Sequence, residues 1–392
     1  MSAAAKTGLR LLHVHSGNLY GGVETALLSL ARERNRAARL APAYALCFDG
    51  RLAEELRALG APVFILGAVR ARNPFGVRRA RRRLAELLAA ERIDVAICHM
   101  AWAHAMFAPA VRRANRGLVF WMHDAANGRH WVERWAARVP PGLAICNSRY
   151  TAATMGKLFT RTRAEILCYP VAVGGPRLTP PERLAMRAEL GARADDVAIL
   201  QASRMEPWKG HELHLQALER LRDLPGWVCW IAGGAQRPHE RDYRARLVAM
   251  THQLGIADRV RFLGDRADVP RLMRAAEIFC QPNAAPEPFG IVFIEALGAG
   301  LPIVATAMGG AREIIDDRTG VLAPPDDVAA IAGALRRLIE NPAERDRLGG
   351  AGPRRAFELC DPATQMARLE TLLLRFGEAG GARFRAASGA IQ

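Results

Sequence analysis

The stretch LRLLHVHSGNLYGGVETALLSLARER, residues 9–34, decides the fold. It reads in three parts. Residues 9–15 are an apolar run of strand length. Ser16, Gly17, Asn18, Gly21 and Gly22 then supply a turn composition. From Val23 to Arg34 the apolar residues fall at helical spacing. Strand, glycine loop and helix together open a βα unit.

The same alternation continues outward. Further strands are predicted at 43–47, 63–66, 94–98, 118–122 and 143–146, with helical stretches between them, such as 77–90. Continuous apolar strands separated by helices indicate a parallel sheet covered on both faces. Residues 170–181, with four prolines and two adjacent glycines, read as a linker. The pattern then restarts, with strands at 197–202, 228–232, 260–263, 278–281 and 303–305. The expected fold class is therefore α/β, with two doubly wound Rossmann-like domains facing across a cleft. The first covers 1–177 and the second 178–362. A last helix near 363–376 is expected to return to the first domain, with a tail to 392. Open parallel sheets bind ligands beyond the carboxyl ends of their strands, so the cleft is the expected site.

Bulk composition narrows the class. Half of the 392 residues are hydrophobic and a quarter are charged, as in globular proteins. No apolar run reaches the roughly 18 residues of a membrane span; the best, 291–305, is broken by Glu295 and Pro302. Residues 1–8 contain no apolar segment of a secretory signal. The seven cysteines are odd in number and lack metal-ligand spacing, so reduced, buried thiols in a cytoplasmic protein are expected. The charge is lopsided. Residues 1–177 hold 27 Lys and Arg against 11 Asp and Glu, whereas 178–392 hold 28 of each. The excess of the first half points to an anionic partner.

Several clusters carry chemistry. The Gly21-Gly22 loop opens a helix and suits a phosphate or sugar contact, or a plain tight turn. Ser203-Arg204-Met205-Glu206-Pro207-Trp208-Lys209-Gly210 follows the first strand of the second half and sets Arg204 and Lys209 at a strand end. Guanidinium binds phosphate bidentately and ammonium adds a point charge; a solvated basic turn is the bland alternative. In Pro286-Glu287-Pro288-Phe289-Gly290-Ile291-Val292-Phe293-Ile294-Glu295, Glu287 falls in a loop and Glu295 in an otherwise apolar helix. Gly290, Ile291 and Val292 open that helix with unpaired N–H groups. A carboxylate such as Glu295 needs donors, which a ribose diol or a core arginine would supply. His123, in Trp121-Met122-His123-Asp124, ends a strand of the first domain. Gly309-Gly310 opens another helix and reads as a donor wrap or a turn.

In this order, Gly21-Gly22-Val23-Glu24, His123-Asp124, Arg204 with Lys209-Gly210, and Glu287 seven residues before Glu295 resemble glycosyltransferase family 4, whose fold is termed GT-B. The resemblance spans essentially the whole chain. It implies retaining transfer of a hexose from a nucleotide-diphosphate sugar, without a metal or other cofactor, and with uridine favoured over guanosine as the base. The implied acceptor is a glycan or a lipid-linked molecule of cell-surface polysaccharide or glycolipid synthesis. By the same resemblance Arg204 and Lys209 neutralise the diphosphate and Glu295 holds the ribose. Glu287 holds the sugar, His123 lies beside it, and Gly21-Gly22 closes over the phosphates. Phe289, Gly290, Ile291 and Val292 complete the donor site. Ala202-Ser203, where a glycine often precedes the arginine, and Cys168-Tyr169-Pro170-Val171 depart from the family pattern and bear on loop shape and acceptor choice.

Two other functions share these features. A nucleotide-sugar 2-epimerase would use the same architecture, but the two charged motifs match the transferase pattern. A nucleic-acid-binding protein would explain the charge, but no recognition motif or aromatic interleaving accompanies it. Arg70, Arg72, Arg78, Arg79, Arg81, Arg82 and Arg83 form the densest basic run. They read as a solvated helix face, a grip on acceptor phosphate, or a dock on the anionic inner face of the cytoplasmic membrane. In the docking reading the protein is peripheral to that membrane.

Overall fold

The computed structural model describes residues 8–18, 20–173 and 177–388, and side chains up to residue 379. Leu19 of the glycine loop, the adjacent glycines 174 and 175, and the first seven and last four residues lie outside the described residues. The chain divides into two compact units. One joins residues 1–170 to 362–392, and the other is 171–361.

The first unit contains strands β1 (Leu9–His15), β2 (Leu40–Leu46), β3 (Val63–Ile65), β4 (Val95–His99), β5 (Gly117–Met122), β6 (Leu143–Cys146) and β7 (Ala164–Ile166). They form one parallel sheet in the order β3-β2-β1-β4-β5-β6-β7. The two-residue period of a strand divides β2 between two cores. Ala43 and Ala45 join a cluster with Leu12, Leu84 and Met106. Tyr44 and Leu46 pack with Leu27, Leu28 and Leu52 on the other face. The long helix Pro362–Ser388 belongs to this unit. Its Glu370 accepts from the Arg39 backbone N–H at 2.7 Å.

The second unit holds β8 (Val197–Ala202), β9 (Trp227–Ala232), β10 (Val260–Gly264), β11 (Ile278–Gln281), β12 (Ile303–Thr306) and β13 (Gly320–Ala323). These form a second parallel sheet, β10-β9-β8-β11-β12-β13. Both sheets reverse their strand order beside the first strand, the arrangement that leaves a ligand crevice at the carboxyl edge.

Local chemistry corrects several expected boundaries. The basic helix, expected from residue 77, starts three residues earlier, with Pro74-Phe75-Gly76 in its first turn. Asn73 caps the helix Pro74–Ala90 by accepting from Gly76 N–H at 3.0 Å, and Pro74 takes the first position, where its missing N–H costs nothing. The linker likewise ends earlier than its prolines suggest. Thr179 and Glu182 form a capping box, and Pro180-Pro181 begin the helix Pro180–Glu189. Strands β7 and β13, absent from the sequence reading, complete the two sheet edges. All seven cysteines are unbridged, and six are buried. No helix among the described residues is long and apolar enough to cross a membrane.

Candidate active site

In the second unit the charged residues singled out from sequence converge at the carboxyl edge of the sheet. The backbone turns sharply after β8, and the short turn Pro207–Lys209 ends on Gly210 at φ 72°. A side chain at Gly210 would place its Cβ 1.8 Å from the Pro282 carbonyl oxygen. Glycine is thus required for this loop to lie against the segment after β11, where Ala284 N–H donates to the Trp208 carbonyl at 2.9 Å. That approach brings Lys209 Nζ to 2.8 Å from Glu287 Oε2. Asn283 Nδ2 donates to the same oxygen at 2.8 Å.

Arg204 stands at the other end of the cluster. Its guanidinium donates to Glu206 Oε2 at 3.0 Å and lies 3.7 Å from the fully buried Glu240. The Trp208 indole N–H donates to Glu206 Oε2 at 2.7 Å, and Lys209 Nζ sits 3.8 Å from the centroid of the Trp208 ring. Arg204, Glu206, Trp208, Lys209, Glu287 and Asn283 therefore form one continuous polar chain. Two cations held by carboxylates at a strand end are what an incoming diphosphate would engage.

The glutamate loop is fixed from behind by Gly309 and Gly310. Gly310 N–H donates to the Glu287 carbonyl at 2.7 Å, and a Cβ on Gly309 would fall 2.2 Å from that same oxygen. The glycine pair thus braces Glu287. Gly290, at φ 103°, caps the helix Ile291–Gly298. Ile291 and Val292 are in its first turn, where N–H groups lack helical acceptors. Phe289 is buried against this start, and Glu295 is half-buried in the second turn.

The first unit adds an arrangement that the sequence did not announce. His13 Nδ1 and His99 Nε2 are 2.9 Å apart, and His99 Nδ1 and His123 Nε2 are 2.8 Å apart. His123 Nδ1 reaches the Tyr169 hydroxyl at 2.5 Å. Asn147 Nδ2 donates to that hydroxyl at 2.8 Å and to the His123 carbonyl at 3.2 Å. Thr151 donates to Asn147 Oδ1 and fixes the amide. Both ring nitrogens of His123 are thus engaged within the unit. A neutral imidazole donates from one nitrogen and accepts at the other, so the tautomers of the three rings are coupled. Burial pushes His13 down to about 4 and holds His99 and His123 well below 6.5. Tyr169 belongs to the segment that departs from the family pattern. That departure is the one sequence signal that it borders the site.

At the glycine loop, Gly21 is extended and Gly22 begins the helix Gly22–Arg32. A Cβ on Gly22 would meet no protein atom within 4 Å. Glu24 Oε1 lies 2.8 Å from His15 Nε2, both side chains being buried. Sequence reasoning passed over Glu206, Glu240, Asn283, His13, His99 and Asn147. Glu240, His13, His99 and Asn147 matter through partners distant in sequence, whereas Glu206 and Asn283 act on charged neighbours two to four residues away.

Two family models match the chain: Glycosyltransferase Family 4 over residues 20–171 and Glycosyl transferases group 1 over 182–355. Between them they cover Gly21-Gly22, Gly309-Gly310 and the charged cluster of the second unit. The chain belongs to glycosyltransferase family 4. Among family relatives, the D-inositol 3-phosphate glycosyltransferase of Xylanimonas cellulosilytica is 33% identical over 69% of this chain and 64% of its own length. The GDP-mannose-dependent alpha-(1-6)-phosphatidylinositol monomannoside mannosyltransferase of Mycolicibacterium smegmatis is 31% identical, over 58% of this chain and 60% of its own. The chain thus matches less than two thirds of the length of these curated relatives. HepE of Anabaena, solved in complex with UDP-glucose, superposes with a TM-score of 0.83 at 25% identity, covering 93% of this chain and 99% of that one. The two parallel-sheet units are those of the two-domain, Rossmann-like GT-B fold.

Proposed function

We propose that this family 4 member is a retaining glycosyltransferase. It moves a hexose from a nucleotide-diphosphate sugar, with uridine as the favoured base, to a glycan or lipid-linked acceptor. The observation that carries the reading is the convergence of Arg204, Lys209 and Glu287 beside the start of the helix Ile291–Gly298. Departure of the leaving group builds negative charge on the diphosphate. Arg204, Lys209 and the helix N–H groups stabilise that charge in place, without a metal. Glu295 is assigned the ribose hydroxyls and Glu287 the sugar hydroxyls. His123 is assigned a place beside the sugar, and Gly21-Gly22 the phosphates. The UDP-glucose held by HepE supports uridine.

The test is a thermal-shift panel of nucleotide sugars followed by transfer assays. A UDP-hexose should raise the melting temperature by linkage, and nucleotide should be released only when acceptor is present. Release of nucleotide with epimerised free sugar and no acceptor would replace this reading with the epimerase.

Attachment to an anionic leaflet belongs to the same proposal, with the protein peripheral on the inner face of the cytoplasmic membrane. The helix Pro74–Ala90 supports it by exposing Phe75 (81%) together with Arg78, Arg79 and Arg82. Arg81 is only partly exposed, and Arg83, though exposed, turns its guanidinium back to the backbone. Arg81 donates to the carbonyls of Met106 and Ala105, and Arg83 donates to that of Leu66.

A further inference from the structure

A pocket of about 420 Å³ opens at the carboxyl edge of the first sheet, between the start of the helix Met100–Arg113 and the segment after β5. That size suits a single small-molecule ring or two. One wall is apolar and aromatic, formed by Met100, Trp102, Phe120, Met122 and Leu158. The other carries Asp124, Asn127, His130 and Glu133.

This polar wall is built rather than loose. Glu133 accepts from the N–H groups of Asn127 and Gly128, at 3.2 and 2.7 Å. Asn127 Oδ1 accepts from those of Arg129 and His130, at 2.6 and 3.1 Å. Met100 is held at φ 70°, a left-handed conformation that costs a non-glycine residue about 1 kcal/mol or more. Strain of this kind gathers where structure is held for a ligand.

The electrostatics are the telling part. Residues 1–177 hold 27 basic side chains, yet among the described residues no lysine or arginine lines the pocket, and two carboxylates do. A phosphate placed there would meet like charge, which is costly in a partly desolvated site. Hydroxyl groups would donate to the carboxylate and amide oxygens, while the C–H face of a ring lies on Trp102.

Resting on the transferase reading above, we infer that this pocket seats the acceptor as an uncharged polyhydroxylated ring, a neutral sugar and not a sugar phosphate. A free sugar and the headgroup of a neutral glycolipid share that chemistry.

The test is saturation-transfer NMR on the full chain with UDP present. The probes are the methyl glycosides of glucose, galactose and mannose, the corresponding 6-phosphates, and the octyl glycosides below their micellar concentration. At least one methyl glycoside should bind, about tenfold more tightly than its 6-phosphate, and Trp102→Ala should weaken it about fivefold. Asp124→Lys, a change at an exposed position, should shift preference toward the phosphate. Tighter binding of the octyl glycoside supports a glycolipid headgroup, and equal binding a free sugar. Preference for the 6-phosphate in the unaltered protein would overturn the inference, as would failure of every neutral glycoside to bind. So would indifference to both substitutions. Because the readout is binding, a protein that binds neutral sugar but transfers nothing would count against the transferase reading and leave the pocket standing.

Discussion

Lys209 Nζ lies 2.8 Å from Glu287 Oε2 across 78 residues of sequence, and the lysine side chain is only 14% exposed. The pair does two things at once: it closes the charged cluster and neutralises a buried carboxylate. Replacing Lys209 with Ala should lower transfer about 100-fold or more, as expected for loss of a preorganised cation. It should also lower the unfolding free energy by about 1–3 kcal/mol, because among the described residues the Glu287 carboxylate then keeps its hydrogen bond from Asn283 but no cation. Glu287→Gln retains an oxygen acceptor and should cost less stability. Chemical denaturation and turnover measured on both variants check this. Wild-type turnover in Lys209→Ala would remove the lysine from the site.

Gly310 has an ordinary backbone conformation, φ −64°, so its constraint is steric. A Cβ there would lie 2.5 Å from the Phe289 carbonyl oxygen. Gly310→Ala should push the glutamate loop away and cost about 1–3 kcal/mol, as overpacking does, with transfer falling at least as far. Gly333→Ala is the control, since nothing lies within 4 Å of its Cβ. Equal melting temperatures and rates for the two variants would show that Gly310 does not brace Glu287.

The histidine chain sets a pH dependence. His13, His99 and His123 fold neutral because burial depresses their pKa values, to about 4 for His13. The unfolded chain takes up these protons near pH 6.5. It therefore binds more protons than the folded chain below that pH, and stability rises with pH through this window. The stabilisation is complete above about pH 6.5 and is lost as pH falls toward 4, by about 3 kcal/mol for His13 alone. Urea unfolding at pH 7.5, 6.0 and 5.0 should show a flat region and then a decline, and His13→Phe should reduce the slope by about one proton. A midpoint unchanged from pH 7.5 to 5.0 would contradict it.

For the basic helix, vesicle co-sedimentation separates docking from a merely solvated face. Changing Arg78, Arg79 and Arg82 to Ser should weaken binding to anionic vesicles about 100-fold, at up to about 1 kcal/mol per residue. Binding of the unaltered protein should collapse at high ionic strength, because the screening length is only about 10 Å at 0.1 M salt. Equal sedimentation of both proteins would leave these arginines as surface.

The sheets were legible because buried parallel strands announce themselves as apolar runs. The two missed strands show the limit of that signal. Ala164-Glu165-Ile166 is short and exposed at a sheet edge, and Gly320–Ala323 opens on a glycine. Arg204, Lys209 and Glu287 were legible as motifs because each stands in a loop at a strand end. The histidine chain was not. His13, His99 and His123 lie 86 and 24 residues apart, on or just past three strands whose order the sequence does not print. Glu240 was hidden for a related reason: in sequence it is one more acidic residue in the first turn of a helix.

The helix Pro362–Ser388 seals the first unit although it follows the whole of the second in sequence. Its Phe376 ring presses on both Gly117 and Gly142, where a Cβ would stand 3.1 and 2.8 Å from it, and Leu369 and Leu373 are buried beneath it. The first 170 residues therefore leave the ribosome without the piece that covers their sheet. They must wait, partly open, while the 191 residues of the second unit are synthesised. Domains generally fold as they emerge, at several residues per second, so the second unit can be complete before the first is closed. A nascent chain arrested near residue 361 would expose that apolar surface to chaperones, and full closure would come only with the helix Pro362–Ser388.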